Sequence, residues 1–115
     1  LSLMKEIELY KTSSGNVPVE RFLDSLSNRQ IRDVLDVLRL IREEDVVPAN
    51  LWKKITRYIW EVCARTGSDT VRLLGFFADG SLVILVSGFF KKTRSTPLTE
   101  IQTAERRRKD YLDRN

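Results

Sequence analysis

Three β-rich runs separated by two tight turn signals constrain this chain more than any other feature of its sequence. Residues 57–65, 70–78 and 81–89 are dense in β-branched and aromatic side chains, with Gly67-Ser68 and Asp79-Gly80 between them. Short turns of that composition join antiparallel neighbours, so the runs predict a three-stranded meander. The turns also set the register. A two-residue turn at Asp79-Gly80 pairs Ala78 with Ser81 and, counting back, Phe77 with Leu82, Gly75 with Ile84 and Arg72 with Ser87. An even-length loop around Gly67-Ser68 pairs Arg72 with Cys63 and Gly75 with Trp60.

Strand alternation then sorts the side chains into two faces. One predicted face carries Trp60, Val62, Ala64, Val71, Leu73, Gly75, Phe77, Leu82, Ile84 and Val86, all apolar or glycine, with Gly75 leaving room for the Trp60 ring. The other is apolar at one end (Leu74, Phe76, Val83, Leu85) and polar at the other, where Glu61, Cys63, Arg65, Arg72 and Ser87 gather. Cations, a carboxylate and a hydroxyl on a rigid sheet suit a site that holds a phosphate while other groups move protons. The competing reading is structural, with Glu61 neutralising Arg65 or Arg72. Cys63, lacking a local base, reads as an inert half-buried residue.

The remainder of the chain supplies the layers around this sheet. Alternation from Lys5 to Tyr10 predicts a first strand, ended by Thr12-Ser13-Ser14-Gly15-Asn16. After Pro18, Phe22, Leu23 and Leu26 share one side of a short helix. Ser27-Asn28 then caps a second over residues 29–44, striped by Ile31, Val34, Leu35, Leu38 and Ile41. The pair predicts a helical hairpin laid on the apolar face. Leu51-Trp52-Lys53-Lys54-Ile55 reads as either a short helix or a connecting loop. Beyond the last strand, Lys91, Lys92 and Arg94 form a basic loop, after which Thr96 is placed to cap a helix with Pro97 at its first position and Glu100 in its first turn. That helix carries an apolar stripe of Leu98, Ile101, Ala104, Tyr111 and Leu112. Arg108 falls inside the stripe and is expected to face the protein body, whereas Arg106 and Arg107 fall outside it, solvated or touching phosphate. The whole predicts a single α+β domain over residues 1–115.

Charge is unevenly distributed. Residues 1–88 carry 12 Lys/Arg and 12 Asp/Glu, and residues 89–115 carry 8 and 4, so the net +4 lies entirely in the last quarter. Such asymmetry points to an anionic partner, nucleic acid first, with a solvated basic helix as the plainer reading. One cysteine excludes an internal disulfide framework, and with no histidine a zinc site would need carboxylates and a single thiol. The expectation is a chain without metal or cofactor in a reducing compartment. No apolar run approaches the roughly 20 residues that span a bilayer, and Met4-Lys5-Glu6-Ile7-Glu8 is not the core of a signal peptide. A cytoplasmic protein with no membrane partner is therefore expected.

These residues resemble a HigB-type toxin of the RelE superfamily, in its phage-derived branch of short toxin-like proteins. The likeness covers nearly the whole chain. It rests on Met4-Lys5-Glu6-Ile7 with Tyr10-Lys11-Thr12, on Gly15-Asn16-Val17-Pro18-Val19 and Phe22-Leu23, and on Trp60-Glu61 followed by Val71-Arg72-Leu73-Leu74. Most specific is Gly88-Phe89-Phe90-Lys91-Lys92-Thr93 with Thr96-Pro97, Glu100-Ile101 and Ala104.

The resemblance implies a RelE-like fold, with an N-terminal strand and helical hairpin on a twisted antiparallel sheet and a C-terminal helix. It also implies a metal-independent endoribonuclease that cuts messenger RNA on the ribosome and is held in check by a helix-turn-helix antitoxin of the HigA type. Under it, Arg72 and Lys91 or Lys92 stabilise charge on the reacting phosphate, Arg65 assists, and Glu61 is the default base. Lys53, Lys54, Arg94, Arg106, Arg107 and Arg108 are the candidate RNA contacts. Two positions depart from the family pattern: Cys63 stands where an arginine is common, and Ser87 where histidine is common. The alternative they raise is a protein that keeps the fold and binds an antitoxin or RNA without cutting.

Overall fold

The computed structural model describes residues 4–115; residues 1–3 lie outside that description. Its strands are β1 (Glu6–Leu9), β2 (Trp52–Lys54), β3 (Trp60–Thr66), β4 (Asp69–Asp79) and β5 (Leu82–Phe90), and its helices α1 (Pro18–Asp24), α2 (Asn28–Glu43) and α3 (Leu98–Arg114). The strands form one sheet in the order β1-β5-β4-β3-β2. α1 and α2 cover one face and α3 the other. The architecture is α+β, as the sequence predicts, with two differences in the sheet. It is mixed, because β1 runs parallel to β5, and it has a fifth strand, because Trp52–Lys54 pairs antiparallel with β3 instead of forming a helix or loop. Among the described residues, no helix is long and apolar enough to cross a membrane.

Local chemistry accounts for the helical hairpin. Pro18 opens α1, and the α2 start is a full capping box. Ser27 Oγ accepts from the Gln30 backbone N–H, and the Gln30 side chain accepts from the Ser27 backbone N–H. Val19, Leu26, Val34 and Ile41 bury against Val62, Ala64, Val71 and Leu73 of the meander. Each such aliphatic side chain contributes about 1.5–3 kcal/mol when fully buried.

The β3–β4 pairing has the predicted register, with Cys63 opposite Arg72 and Trp60 opposite Gly75. The β4–β5 pairing does not. The turn closes one residue later, with Asp79 opposite Leu82, and two bulges follow: Ala78 is extra on β4 and Val86 is extra on β5. The first moves the register by one, so Phe77 meets Val83 and Gly75 meets Leu85. The second, on the opposite strand, cancels the first and restores the register set by the later turn, so Arg72 meets Phe89 where Ser87 is predicted.

A one-residue slip turns every side chain of a strand over. Val83 and Leu85 consequently lie in the hairpin-side core, while Ile84 and Val86 face α3 with Leu74, Phe76 and Ala104, reversing the predicted assignment for Leu82–Val86; Ser87, opposite Leu74, keeps its predicted face. Gly75 is required by this bulged crossing, not by the Trp60 ring. A Cβ there would stand 2.6 Å from the Ile84 carbonyl oxygen. Trp60 instead stacks on Trp52 at 4.9 Å between centroids and is half-buried, as is Phe77, so the fully buried aromatic of the sheet is Phe76.

Candidate functional site

Strand parity on β3 and β4 sends Glu61 and Arg72 to the face that meets the start of α3, and burial makes their pairing obligatory. Glu61 is 1% exposed and Arg72 3%. Arg72 Nη1 donates to Glu61 Oε2 at 3.3 Å and to Thr96 Oγ1 at 3.0 Å, and its Nη2 donates to the Arg94 carbonyl oxygen at 3.1 Å. Thr96 Oγ1 donates in turn to Glu61 Oε2. Glu61 Oε1, Arg72 Nε and Ser87 Oγ are buried without a hydrogen-bond partner.

Thr96 thus departs from its predicted capping role. The N-cap position of α3 is Pro97, which offers no side-chain cap, and the threonine hydroxyl joins the buried carboxylate. The network ties three distant parts of the chain together: the β3–β4 ribbon, the basic loop and the entry to α3. A second tether is the bond from the Lys91 backbone N–H to the Thr70 carbonyl oxygen at 2.8 Å.

Above this network lies a cleft of about 530 Å³, lined by Lys53, Glu61, Cys63, Arg65, Thr70, Arg72, Lys91 and Arg94 together with the apolar Val37, Ala49 and Leu51 and the amide Asn50. Five lining residues are cations and one is a carboxylate, and Arg72 neutralises that carboxylate. Lys53, Arg65, Lys91 and Arg94 are all exposed around the opening, so the cleft presents a positive field to any anion that enters.

The site residues predicted from sequence divide cleanly. Glu61, Arg65, Arg72 and Lys91 share the cleft, and two of the predicted RNA contacts, Lys53 and Arg94, line it with them. Lys92 is exposed beside the cleft without lining it, and Lys54, opposite Trp60, is carried on the other face of the β2–β3 pair. Arg108 does face the body of the protein, its guanidinium 3.7 Å above the Tyr58 ring. Arg107, expected to be solvated or to touch phosphate, is half-buried with its Nη1 donating to the Val86 carbonyl at 2.8 Å, while Arg106 is exposed. Sequence reasoning missed Thr96, whose capping signal pointed elsewhere, and Leu51, whose carbonyl accepts from the Cys63 N–H where β2 closes the cleft.

The arrangement can bind a phosphate group among one held cation, Arg72, and four exposed ones, with the one carboxylate of the lining at its floor. Among the described residues, no three His, Cys, Asp or Glu side chains come together as metal ligands.

No curated protein matches the chain. The family model described as Phage derived protein Gp49-like (DUF891) matches residues 21–109, which take in the second half of α1, all of α2, strands β2–β5, every residue lining the cleft and most of α3. A match over that much of the 115 residues shows the family, and the chain belongs to the Gp49-like phage-derived proteins, a toxin-like family related to RelE and HigB.

Proposed function

We propose that this protein is the toxin of a toxin–antitoxin module, an endoribonuclease that cuts translated messenger RNA at the ribosome and is restrained by a helix-turn-helix antitoxin. Gp49-like proteins are often toxins of such modules. The observation that carries the reading is the meeting of Arg65, Arg72, Lys91, Lys53 and Arg94 around Glu61 in one cleft. In the proposed reaction the RNA's own 2′-oxygen bonds to the adjacent phosphorus as the bond from phosphorus to the 5′-oxygen breaks. The 2′-hydroxyl proton passes to a base and the departing 5′-oxygen takes one up, leaving a 2′,3′-cyclic phosphate and a 5′-hydroxyl. Charge accumulates on the non-bridging oxygens in between, and fixed cations at that point contribute most to lowering the barrier. Lys91 and Arg65 are the accessible cations for it. Arg72 acts from the floor, and Glu61 Oε1, buried and free of hydrogen bonds, becomes the acceptor for the proton once the Arg94–Thr96 segment moves aside.

A second reading is a binding protein without chemistry, acting through an antitoxin or RNA partner in the cytoplasm. It is favoured by one observation: Glu61 and Arg72 are buried and bonded to each other, so neither is open to substrate unless the Arg94–Thr96 segment moves.

Expression without any antitoxin separates the two. The nuclease reading predicts growth arrest with breaks inside translated codons, and a Glu61→Gln variant that still binds RNA but cuts about 10²-fold or more slowly, the scale of a lost general base. Normal growth with intact messages selects the binding protein.

A further inference from the structure

Outside the cleft, the end of β1 and the turn after it face the middle of α3 across a small recess. It measures about 240 Å³ and is lined by Tyr10, Thr12, Ser13, Arg106, Arg107 and Asp110. Its one carboxylate is already engaged. The Tyr10 hydroxyl donates to Asp110 Oδ2 at 2.5 Å, and Arg114 donates to the same oxygen from Nε at 3.1 Å and Nη2 at 2.7 Å. Asp110 therefore leaves the charges of Arg106 and Arg107 in place. Arg107 commits Nη1 to the carbonyl of Val86, the extra residue of the β5 bulge, which fixes its guanidinium against the sheet and leaves other N–H donors of the fork free. Burial, and then the neighbouring charge of Arg106, push the Arg107 pKa down. A bound anion relieves the repulsion between the half-buried Arg107 and the exposed Arg106 beside it. The Thr12–Asn16 turn is itself pinned, with the Asn16 N–H donating to Thr12 Oγ1 at 3.0 Å, so the exposed Ser13 hydroxyl is presented from a fixed backbone.

We propose that this recess binds a backbone phosphate of the same RNA strand whose reacting phosphate sits in the cleft, making it a second phosphate subsite. The proposal rests on reading the cleft as an RNA site. From β3 to β1 the sheet spans three strand gaps of about 4.8 Å, or roughly 14 Å. The start of α3 is tied to the cleft through Thr96, and Arg107 lies about 13 Å further along the helix at 1.5 Å per residue. An RNA strand of several nucleotides covers that distance, whereas a dinucleotide seated in the cleft stops short.

The test measures binding of two dye-labelled RNAs, a dinucleotide and an octanucleotide with 2′-O-methyl groups to prevent cutting, over a range of salt. The protein is compared with Arg106→Gln/Arg107→Gln. For the octanucleotide, the double variant is expected to weaken binding about tenfold and to lower the slope of log affinity against log salt by about 0.7 for each phosphate it no longer neutralises. For the dinucleotide, nothing should change. Arg106→Gln alone, at an exposed position, covers the case in which losing the Arg107–Val86 bond unfolds the protein, and it should lower the octanucleotide slope in the same direction.

An unchanged octanucleotide slope overturns the proposal while leaving the cleft reading intact, as does an equal loss for both RNAs. If the wild type binds neither RNA, the cleft reading falls and this one with it. If the double variant loses binding of inorganic phosphate, followed by ³¹P line width, yet keeps the wild-type octanucleotide slope, the recess is a free-anion site and the RNA assignment is overturned.

Discussion

Glu61 is held by two donors on one oxygen and by none on the other, and that imbalance sets what substitutions near it will do. Removing the Thr96 hydroxyl strips a hydrogen bond from a buried carboxylate, a loss of about 1–3 kcal/mol. Thr96→Val should therefore lower the urea midpoint, and Thr96→Ser, which keeps the hydroxyl, should restore most of it. A loss in Thr96→Ser with none in Thr96→Val would mean that the methyl group matters and the hydroxyl does not. Glu61 and Arg72 were legible from the sequence because the Gly67 turn, with φ of 63°, and the alternation of β3 and β4 fix that register. Thr96 was not, because a threonine before Pro97 satisfies local capping grammar equally well, and only the tertiary structure shows that a buried carboxylate claims it first. Gly75 is the other residue with a sharp expectation. A methyl group there meets the Ile84 backbone oxygen, which cannot swing aside, so Gly75→Ala should cost on the order of 1–3 kcal/mol by overpacking. A neutral effect in chemical denaturation would mean that β5 shifts freely at the bulge.

At the scale of elements, the two bulges decide which half of β5 belongs to which core. Nothing in the alternation of Leu82–Phe90 announces them, because that strand is apolar at nearly every position and either parity buries a good set of side chains. The three residues of β2 were too few for any period to register, and the parallel pairing of β1 depends on the helical hairpin that returns the chain to the same end of the sheet. α2 and the β3–β4 hairpin were readable because the capping box, the apolar stripe and the Gly67 turn are local.

One contact between elements carries a pH signature. Asp110 on α3 accepts from Arg114 and from Tyr10 at the end of β1, and these hydrogen bonds, Arg114's first, pull its carboxyl below the ordinary aspartate value. A group depressed on folding contributes stability that is fully present above its unfolded pKa and is lost as pH falls through the folded one. Asp110→Asn should accordingly melt below the wild type at neutral pH, with the gap closing below about pH 4. A gap that stays constant into acid would locate the effect in packing.

Over the whole molecule, balanced charge in the first 88 residues and excess in the last 27 become a surface with direction. Lys91 and Arg94 stand with Lys53 and Arg65 at one end of α3, and Arg106 and Arg107 lie on its far side toward β1. Composition alone pointed to an anionic partner. It did not separate Lys91 from Lys92, since adjacent residues in a loop have no period to sort them, and the fold puts only the first in the cleft lining. The most direct test of the proposed site is to map 5′ ends across a translated message after inducing the wild type, Lys91→Glu or Lys92→Glu, each first shown by circular dichroism to melt like the parent. Breaks within codons are expected for the wild type and for Lys92→Glu, though fewer in the latter, and none for Lys91→Glu. An uncut message with the wild type, or an undiminished pattern with Lys91→Glu, would contradict the proposed site.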